Sequence, residues 1–374
     1  MRACLPCQSN FSRRNSAQRG TVLVLVLLIV ALVAALSIKF AAQYQLGLAR
    51  AEARWHGAQA RAFLEGTEEV AKLMFAEVDR DQATDFLGEG WDTEFPIEDE
   101  GVSGVAQLVD ATTQLNLNDL ASPLVGDKPM GSPERYTSEQ QRRFIRLLQT
   151  FPDIPLGQDQ AEYLLEAVVD WIDADENESG QGGAESNFYQ SMPEPYMPAN
   201  APFKSVDELR LIRGFHENPQ LVLRLMPFIT VLPQPGVGMN INTMEPVVRG
   251  TKMINNLLLT INDSNSLSPA PESDLKQIFA ARPETGFTEQ SAIQTAFPGK
   301  NVEGLNVKAT FFWLNATVQL VEQRRSMRSL MTRDDFQGRP TLKAIQREDV
   351  YELPSSVRHG DEEEDEDGET ELVE

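Results

Sequence analysis

Apolar residues are spaced in three different ways along this chain, and each spacing predicts a different element. From Thr21 to Ile38 (TVLVLVLLIVALVAALSI) they form an uninterrupted run. At 1.5 Å rise per residue this run spans about 27 Å, enough for the hydrocarbon core of a bilayer. From Phe40 to about Asp79 proline is absent, and Gly47, Gly57 and Gly66 are the weak helix formers. Trp55, Ala58, Ala62, Phe63, Val70, Leu73 and Met74 recur there at helical spacing, which predicts one helix continuing past the apolar run. Val307–Gln323 (VKATFFWLNATVQLVEQ) is rich in β-branched and aromatic residues and predicts a strand. Met327–Met331 and Thr341–Gln346 extend it into an antiparallel meander, with a turn over Asp334–Gly338.

Between these regions the pattern is mixed. Val102–Asp110 predicts a strand leading into Leu115-Asn116-Leu117-Asn118. A similar phrase returns at Gly238-Met239-Asn240-Ile241-Asn242. Both predict a strand, an Asn-x-Asn turn and a helix start, capped by Asn118 in the first and by Asn242 or Thr243 in the second. Short phrases also coincide by chance, so repeat and coincidence both stand at this level. Ser138–Thr150 opens with a Ser-x-x-Gln capping box and puts Phe144, Leu147 and Leu148 on one face. Asp159–Ile172, Ser205–Ile212 and Pro219–Met226 predict further helices. A loop rich in Asn, Ser and Pro follows from Asn262 to Pro271, then short helices over Asp274–Ala281 and Glu289–Phe297.

Composition narrows the function. The 374 residues suffice for two or three structural units, and 41% hydrophobic content excludes global disorder. Lys plus Arg number 33 against 56 Asp plus Glu, a net charge of −23. That sign disfavours nucleic acid, whose phosphates require a basic footprint. Asp361–Glu374 holds ten carboxylates, a like-charge block that predicts a solvated, disordered tail. Cys4 and Cys7 are the only cysteines, and His56, His216 and His359 the only histidines. This inventory argues against zinc, and nothing downstream can form an internal disulfide. No Gly-x-Ser-x-Gly, His-Glu-x-x-His or Walker phrase supports the alternative of an anchored hydrolase.

Two segments carry candidate chemistry. Residues 1–20 contain Arg2, Arg13, Arg14 and Arg19 and no acid, which sets that flank of the apolar run in the cytoplasm and the body beyond the membrane. No small-x-small motif closes the run as a secretory signal would. The second segment follows the helix that ends at Ile172. Asp173, Asp175 and Asn177, then Ser179, repeat the first donor spacings of an EF-hand loop. The match is incomplete: Glu178 stands at the sharp-turn glycine, and Glu185 lies one residue past the usual bidentate acid. Gly180, Gly182 and Gly183 allow the loop to fold back so that Glu185 reaches the others. So dense a set of carboxylates repels itself, and a hard divalent cation relieves the repulsion. The expected calcium ligands are Asp173, Asp175, Asn177 and Glu185, with Asp170 either a further ligand or a helix-end residue. A solvated acidic loop is the alternative.

A basic leader ending at Gly20 before such a helix resembles the type IV prepilin-like proteins. The resemblance implies cleavage between Gly20 and Thr21 by prepilin peptidase and methylation of the new amine, with Cys4 and Cys7 discarded. Thr21 departs from the commoner Phe or Met. At the fifth position after the cut most of these proteins carry Glu; here it is Leu25, which suits the tip of a fibre and also a plain anchor. The phrase VVDWIDADEN…GGAESNFY…PYMPANAPFKSVDELRLIRGF, with the leader and the two Asn-x-Asn phrases, looks like protein K of the type II (general) secretion system. The likeness runs from about Arg19 to about Arg347. It implies an α+β pseudopilin fold, a long N-terminal helix packed on an antiparallel sheet with a large inserted helical domain. The expected parts are a leader (1–20), a transmembrane and amphipathic helix (21–80), a first strand-bearing part (81–118), an inserted helical calcium-binding domain (119–232), helical segments with closing strands (233–350) and the acidic tail (351–374).

The resemblance further implies a minor pseudopilin, anchored in the bacterial inner membrane, at the tip of the periplasmic pseudopilus. Its implied roles are pseudopilus initiation and export of folded proteins. Its implied partners are minor pseudopilins I and J, with H, and the major pseudopilin. An anchored calcium-binding periplasmic protein and a pilin-like DNA-uptake component are the alternatives. Leu209–Gly214 resembles half of a helix-hairpin-helix, but Phe215, His216 and Glu217 follow where phosphate-binding groups belong. The acidic C-terminus has no counterpart role in the family.

Overall fold

The computed structural model describes residues 16–78, 83–99, 101–244, 248–249, 252–253, 256–271, 273, 282–321, 323–336 and 339–350. The helix expected over Asp274–Ala281, most of the leader and the acidic tail lie outside this set. The chain divides into Met1–Ala62 and Phe63–Glu374. Helix α1 is Ser16–Val78, 63 residues. In the first unit the side chains from Val22 to Ile38 are exposed along the whole apolar run. Among the described residues this is the one helix long and apolar enough to cross a membrane, with a mean hydropathy of 3.2 over its most apolar window.

The second unit contains a five-stranded antiparallel sheet in the order β1-β2-β9-β10-β11. Its strands are Phe95–Asp99, Val102–Asp110, Phe311–Leu320, Gln323–Phe336 and Arg339–Val350. β1 follows a polar connecting stretch and was not expected as a strand; it closes a hairpin on β2 in the register Phe95↔Ala106. β9 is shorter than the expected Val307–Gln323, whereas β10 and β11 extend well beyond Met327–Met331 and Thr341–Gln346. β9 is central and buried along nearly its whole length, which explains its near-continuous apolar sequence.

The last part of α1, from Phe63, packs on one face of this sheet. Leu64, Ala71 and Phe75 are buried, and Phe75 meets Phe312 edge-on at 5.0 Å. This corrects the expected stripe: Val70 and Leu73 face outward, and Trp55 is exposed in the first unit. The core face also includes Glu68, which accepts from Ser329 Oγ at 2.8 Å and from Arg347 Nε at 2.6 Å. A charge is tolerated on this face because it is paired. Asp85 and Arg333 form a second such pair at 2.7 Å.

Everything from residue 111 to residue 310 leaves the sheet after β2 and returns at β9. The inserted segment is therefore longer than the expected 119–232. One hydrophobic cluster runs through it from Leu115 to Leu305, so the second half shares the core of the first. Among the described residues its helices are α2 Glu139–Leu148, α3 Gln158–Ile172, α4 Ser186–Gln190, α5 Pro219–Leu225, α6 Asn256–Leu259 and α7 Gln290–Ala296. Ser205 caps a 3-10 turn, Val206–Leu211, where an α-helix was expected.

The two Asn-x-Asn phrases prove to be a structural repeat. Strand β3 (Leu115–Asn116) pairs in parallel with β4 (Ile229–Thr230), and β5 (Met239–Asn240) pairs in parallel with β8 (Leu305–Asn306). A separate two-stranded ribbon joins β6 (Val248–Arg249) to β7 (Lys252–Met253). In each phrase the first Asn caps the turn, correcting the expected caps at Asn118 and at Asn242 or Thr243: Asn116 Oδ1 accepts from Asn118 N–H and Asn240 Oδ1 from Asn242 N–H. The second Asn clamps a distant phenylalanine backbone. Asn118 Oδ1 accepts from Phe203 N–H at 2.7 Å, and its Nδ2 donates to the carbonyls of Phe203 and Leu232. Asn242 Oδ1 accepts from Phe287 N–H at 2.7 Å, and its Nδ2 donates to the carbonyls of Phe287 and Val307.

Candidate metal centre

α3 carries three buried carboxylates at four-residue intervals, Glu162, Glu166 and Asp170, which therefore share one face. Each holds backbone rather than solvent. Glu162 accepts from Tyr136 Oη at 2.5 Å and Gly131 N–H at 2.8 Å. Glu166 accepts from Arg135 Nη2 at 2.6 Å and from Gly182 N–H at 2.7 Å. Asp170 accepts from Ser179 N–H at 3.1 Å. The last two acids draw the loop after Ile172 back along its own helix. The loop glycines allow this approach: a Cβ at Gly180, whose φ is +82°, would collide with the Glu166 carboxylate, and one at Gly182 with the backbone of Tyr163.

The fold-back brings Asp173, Asp175 and Glu185 together, with a carboxylate oxygen of each within 4.8 Å of the others. Glu185 is 2% exposed, yet neither of its oxygens has a hydrogen-bond partner, and Asp173 Oδ1 is buried without one as well. Burial first, then the charges of Asp170 and Asp173, push the Glu185 carboxyl up to about 8. Burial and the charges of Asp170 and Asp175 push Asp173 up to about 6. Orphaned carboxylate oxygens aimed at a common point are a donor set suited to a hard divalent cation. Trp171 lies at the end of the same helix; its Nε1 donates to Glu208 at 3.2 Å and its ring meets Tyr189 edge-on at 5.4 Å.

The other expected ligands sit differently. Asn177 donates through N–H and Nδ2 to Asp175 Oδ1, at 2.8 and 2.6 Å, and thereby orients that carboxylate. Asp170 holds Ser179 and lies outside the three-carboxylate group. Sequence spacing passed over Glu176, which accepts from Ser186 Oγ at 2.9 Å and ties the loop to the start of α4. Gly20 and Thr21 lie within the residue range of α1. The segment resembling a helix-hairpin-helix has its Gly214 N–H occupied by Glu217 Oε2 at 2.6 Å, a carboxylate where a phosphate would bind.

A family model described as "Type II secretion system (T2SS), protein K" matches residues 113–234, the stretch containing α2, α3 and the acidic loop. A type II secretion system protein K from Aeromonas hydrophila is 28% identical over 332 residues, covering 84% of this chain and 93% of the relative. Another from Pseudomonas aeruginosa is 30% identical over 235 residues, 60% of this chain and 65% of the relative. Over most of its length the chain is thus similar to type II secretion system protein K. The sheet and helix outside the matched stretch follow the same fold. A chain of the crystal structure of the GspK-GspI-GspJ complex from the enterotoxigenic Escherichia coli Type 2 Secretion System aligns with a TM-score of 0.65 at 19% identity, over 81% of this chain and all of that one. The α+β pseudopilin fold is thus a long N-terminal helix, an antiparallel sheet and additional helices. The acidic loop falls wholly inside the segment that the family model matches.

Proposed function

We propose that this chain is a protein K, a minor pseudopilin that caps the periplasmic pseudopilus of a type II secretion system and takes part in pseudopilus initiation and protein export. The supporting observation is the shared extent of the likeness, 84% of this chain against 93% of the Aeromonas relative. The chain is anchored by the exposed apolar run in the inner membrane, with its body in the periplasm. Prepilin peptidase cuts it between Gly20 and Thr21, and the new amine is methylated. Minor pseudopilins I and J are its neighbours, as in the complex formed by the structural relative, with H and the major pseudopilin beneath. Leu25 supports the distal position, since a subunit without a carboxylate there neutralises no amine above it. It acts as a scaffold and not as an enzyme, and it takes no nucleic acid.

Within this role the three-carboxylate group binds calcium. Asp173, Asp175 and Glu185 hold the ion, Asn177 orients Asp175, and Asp170 sets the loop from behind. Bound calcium supplies positive charge that relieves the repulsion among these acids. The loop then stays closed against α3 in a unit that has no disulfide. Co-purification of the full chain with I and J from detergent extracts tests the assignment, together with N-terminal sequencing. A stable complex and an N-terminus at Thr21 are expected. An intact Met1, or subunits that never associate, would overturn it.

A further inference from the structure

The acidic loop has a second neighbour that comes from beyond α4. Pro198-Ala199-Asn200-Ala201-Pro202 returns to it, and Asn200 makes the contact. Its Nδ2 donates to the Asp175 carbonyl at 3.4 Å and to Glu176 Oε1 at 3.3 Å. Both groups are acceptors, so the amide nitrogen and not the oxygen must face them. That assignment turns Oδ1 away from both. Asn200 Oδ1 is buried and has no hydrogen-bond partner among the described residues.

The backbone holds Asn200 in this position at some cost. Its φ is +42°, in the left-handed region, which asparagine enters more readily than most residues with a Cβ. Pro198 and Pro202 restrict the chain on either side. The residue that follows, Phe203, is fixed at both backbone groups by Asn118. Four buried oxygens of the two loops lack a donor: Asp173 Oδ1, both carboxylate oxygens of Glu185, and Asn200 Oδ1. Glu176 links them, because the oxygen that accepts from Asn200 also accepts from Ser186 Oγ, the residue after Glu185.

Calcium takes about six to eight oxygens and commonly mixes carboxylates with neutral carbonyls. We propose, on the reading of this loop as a calcium site, that Asn200 Oδ1 is a further ligand of the ion held by Asp173, Asp175 and Glu185. A neutral oxygen adds coordination without adding to the repulsion among the acids. The site is then built from two loops, and the ion ties the acidic one to the segment that Asn118 clamps.

Terbium luminescence on the full chain in detergent, excited through Trp171, tests this assignment beside calcium calorimetry. Terbium takes the same oxygen donors, and its decay rates in H2O and D2O count the waters left on the ion. Asn200→Gly keeps the left-handed backbone and removes the oxygen. The water count should rise by about one in this variant, since water fills a vacated position. Its calcium Kd should weaken about ten-fold. Asn200→Asp retains an oxygen and loses the amide donor, so its water count should return to that of the parent or below. Should Asn200→Gly fold poorly, Asn200→Ala should give the same added water. An Asn200 that only braces the loop would lower the melting temperature of the metal-free variants and leave the water count and Kd unchanged. That result would overturn the Asn200 assignment while the parent's calcium binding stands. A parent that shows neither sensitised terbium emission nor heat on calcium addition would overturn the calcium reading, and Asn200 as a ligand with it.

Discussion

The two Asn clamps of the inserted segment are the same device closing loops of different length. Asn118 reaches Phe203 across 85 residues, while Asn242 reaches Phe287 across 45. Each reads both backbone groups of its phenylalanine and one further carbonyl, and each sits behind a two-residue parallel strand pair. What fills the loops differs. The first interval holds α2, α3, α4 and the acidic loop; the second holds α6, and among its described residues no comparable cluster of carboxylates. The frame is thus independent of its contents. A loop of self-repelling acids can be carried without reshaping the core, because the asparagine bonds and not the loop fix the strand ends.

The comparison would break most visibly at Arg146, which joins the two halves. This residue of α2 is fully buried, bonds to Glu139 Oε1 at 2.6 Å and donates to the carbonyls of Thr260, Asp263 and Ser266 in the second half. Arg146→Ala leaves Glu139 and three carbonyls deprived, and should cost about 3–5 kcal/mol. Denaturant unfolding followed by hydrogen exchange should then resolve two transitions where the parent has one. A single transition shifted by less than about 1 kcal/mol would mean the halves do not depend on this contact.

Asn118→Ala and Asn242→Ala probe each clamp separately. Each variant strands one N–H and two carbonyls, at about 2–4 kcal/mol. If the frames are equivalent, the two losses agree to within about 1 kcal/mol, as measured by urea midpoints at constant slope. A much larger loss for Asn118 would tie the longer loop to its clamp more tightly than the shared geometry implies.

How much of this was legible from sequence follows from where each signal lives. The apolar run of α1, β2 and the Ser138 capping box were readable because their determinants are local. The repeat was visible as a phrase, but its meaning was not, since Asn118 and Asn242 act through partners dozens of residues away. The buried arginines of α2 were misleading: Arg143 and Arg146 look like a solvated face and are both 0% exposed. β1 was silent because it is an edge strand of five residues that contains Pro96 and follows a polar, glycine-bearing stretch. In the acidic loop the EF-hand spacing pointed to Asp173, Asp175, Asn177 and Ser179, with Glu185 one residue past the usual acid, while the hydrogen bonds that set Asp170 and Asn177 apart are not encoded in spacing.

The second clamp is also joined to the sheet through an acid, and pH tests that link. Asp110, at the end of β2, accepts from Asn240 Nδ2 at 2.9 Å and Thr243 Oγ1 at 2.6 Å. Burial pushes its carboxyl up to about 6, against hydrogen bonds from Thr112, Thr243 and Asn240 that act in the other direction. A raised folded value means its contribution is present in full below the unfolded value and is lost as pH rises through about 6. Relative to Asp110→Asn, the parent should therefore lose about 3 kcal/mol between pH 4 and pH 7. A stability difference flat across that range would show that Asp110 is not held in this way. The corresponding acid of the first clamp, Asp119, is also raised by burial but accepts from Asn116 Nδ2 and from Gly236 N–H, neither of them in the five-stranded sheet, so Asp119→Asn should leave the attachment to the sheet unchanged.

The smallest expected effect separates the loop from the frame that carries it. In metal-free protein the carboxylates of Asp173, Asp175 and Glu185 oppose one another, and Glu185 has no compensating donor. Glu185→Gln removes a carboxyl whose ionisation burial and the neighbouring acids disfavour, so without calcium it should stabilise the folded chain slightly, by about 1 kcal/mol. With calcium the order should invert. The parent gains RT ln(1 + [Ca]/Kd), about 2.7 kcal/mol at one hundred times Kd, and the variant gains little. Thermal melts of both proteins, with chelator and with added calcium, give all four values. If Glu185→Gln destabilises the metal-free chain, or keeps the full calcium response, the group is not a cation site. The equivalence of the two clamps would stand in either case, because Asn118 and Asn242 make no contact that depends on the ion.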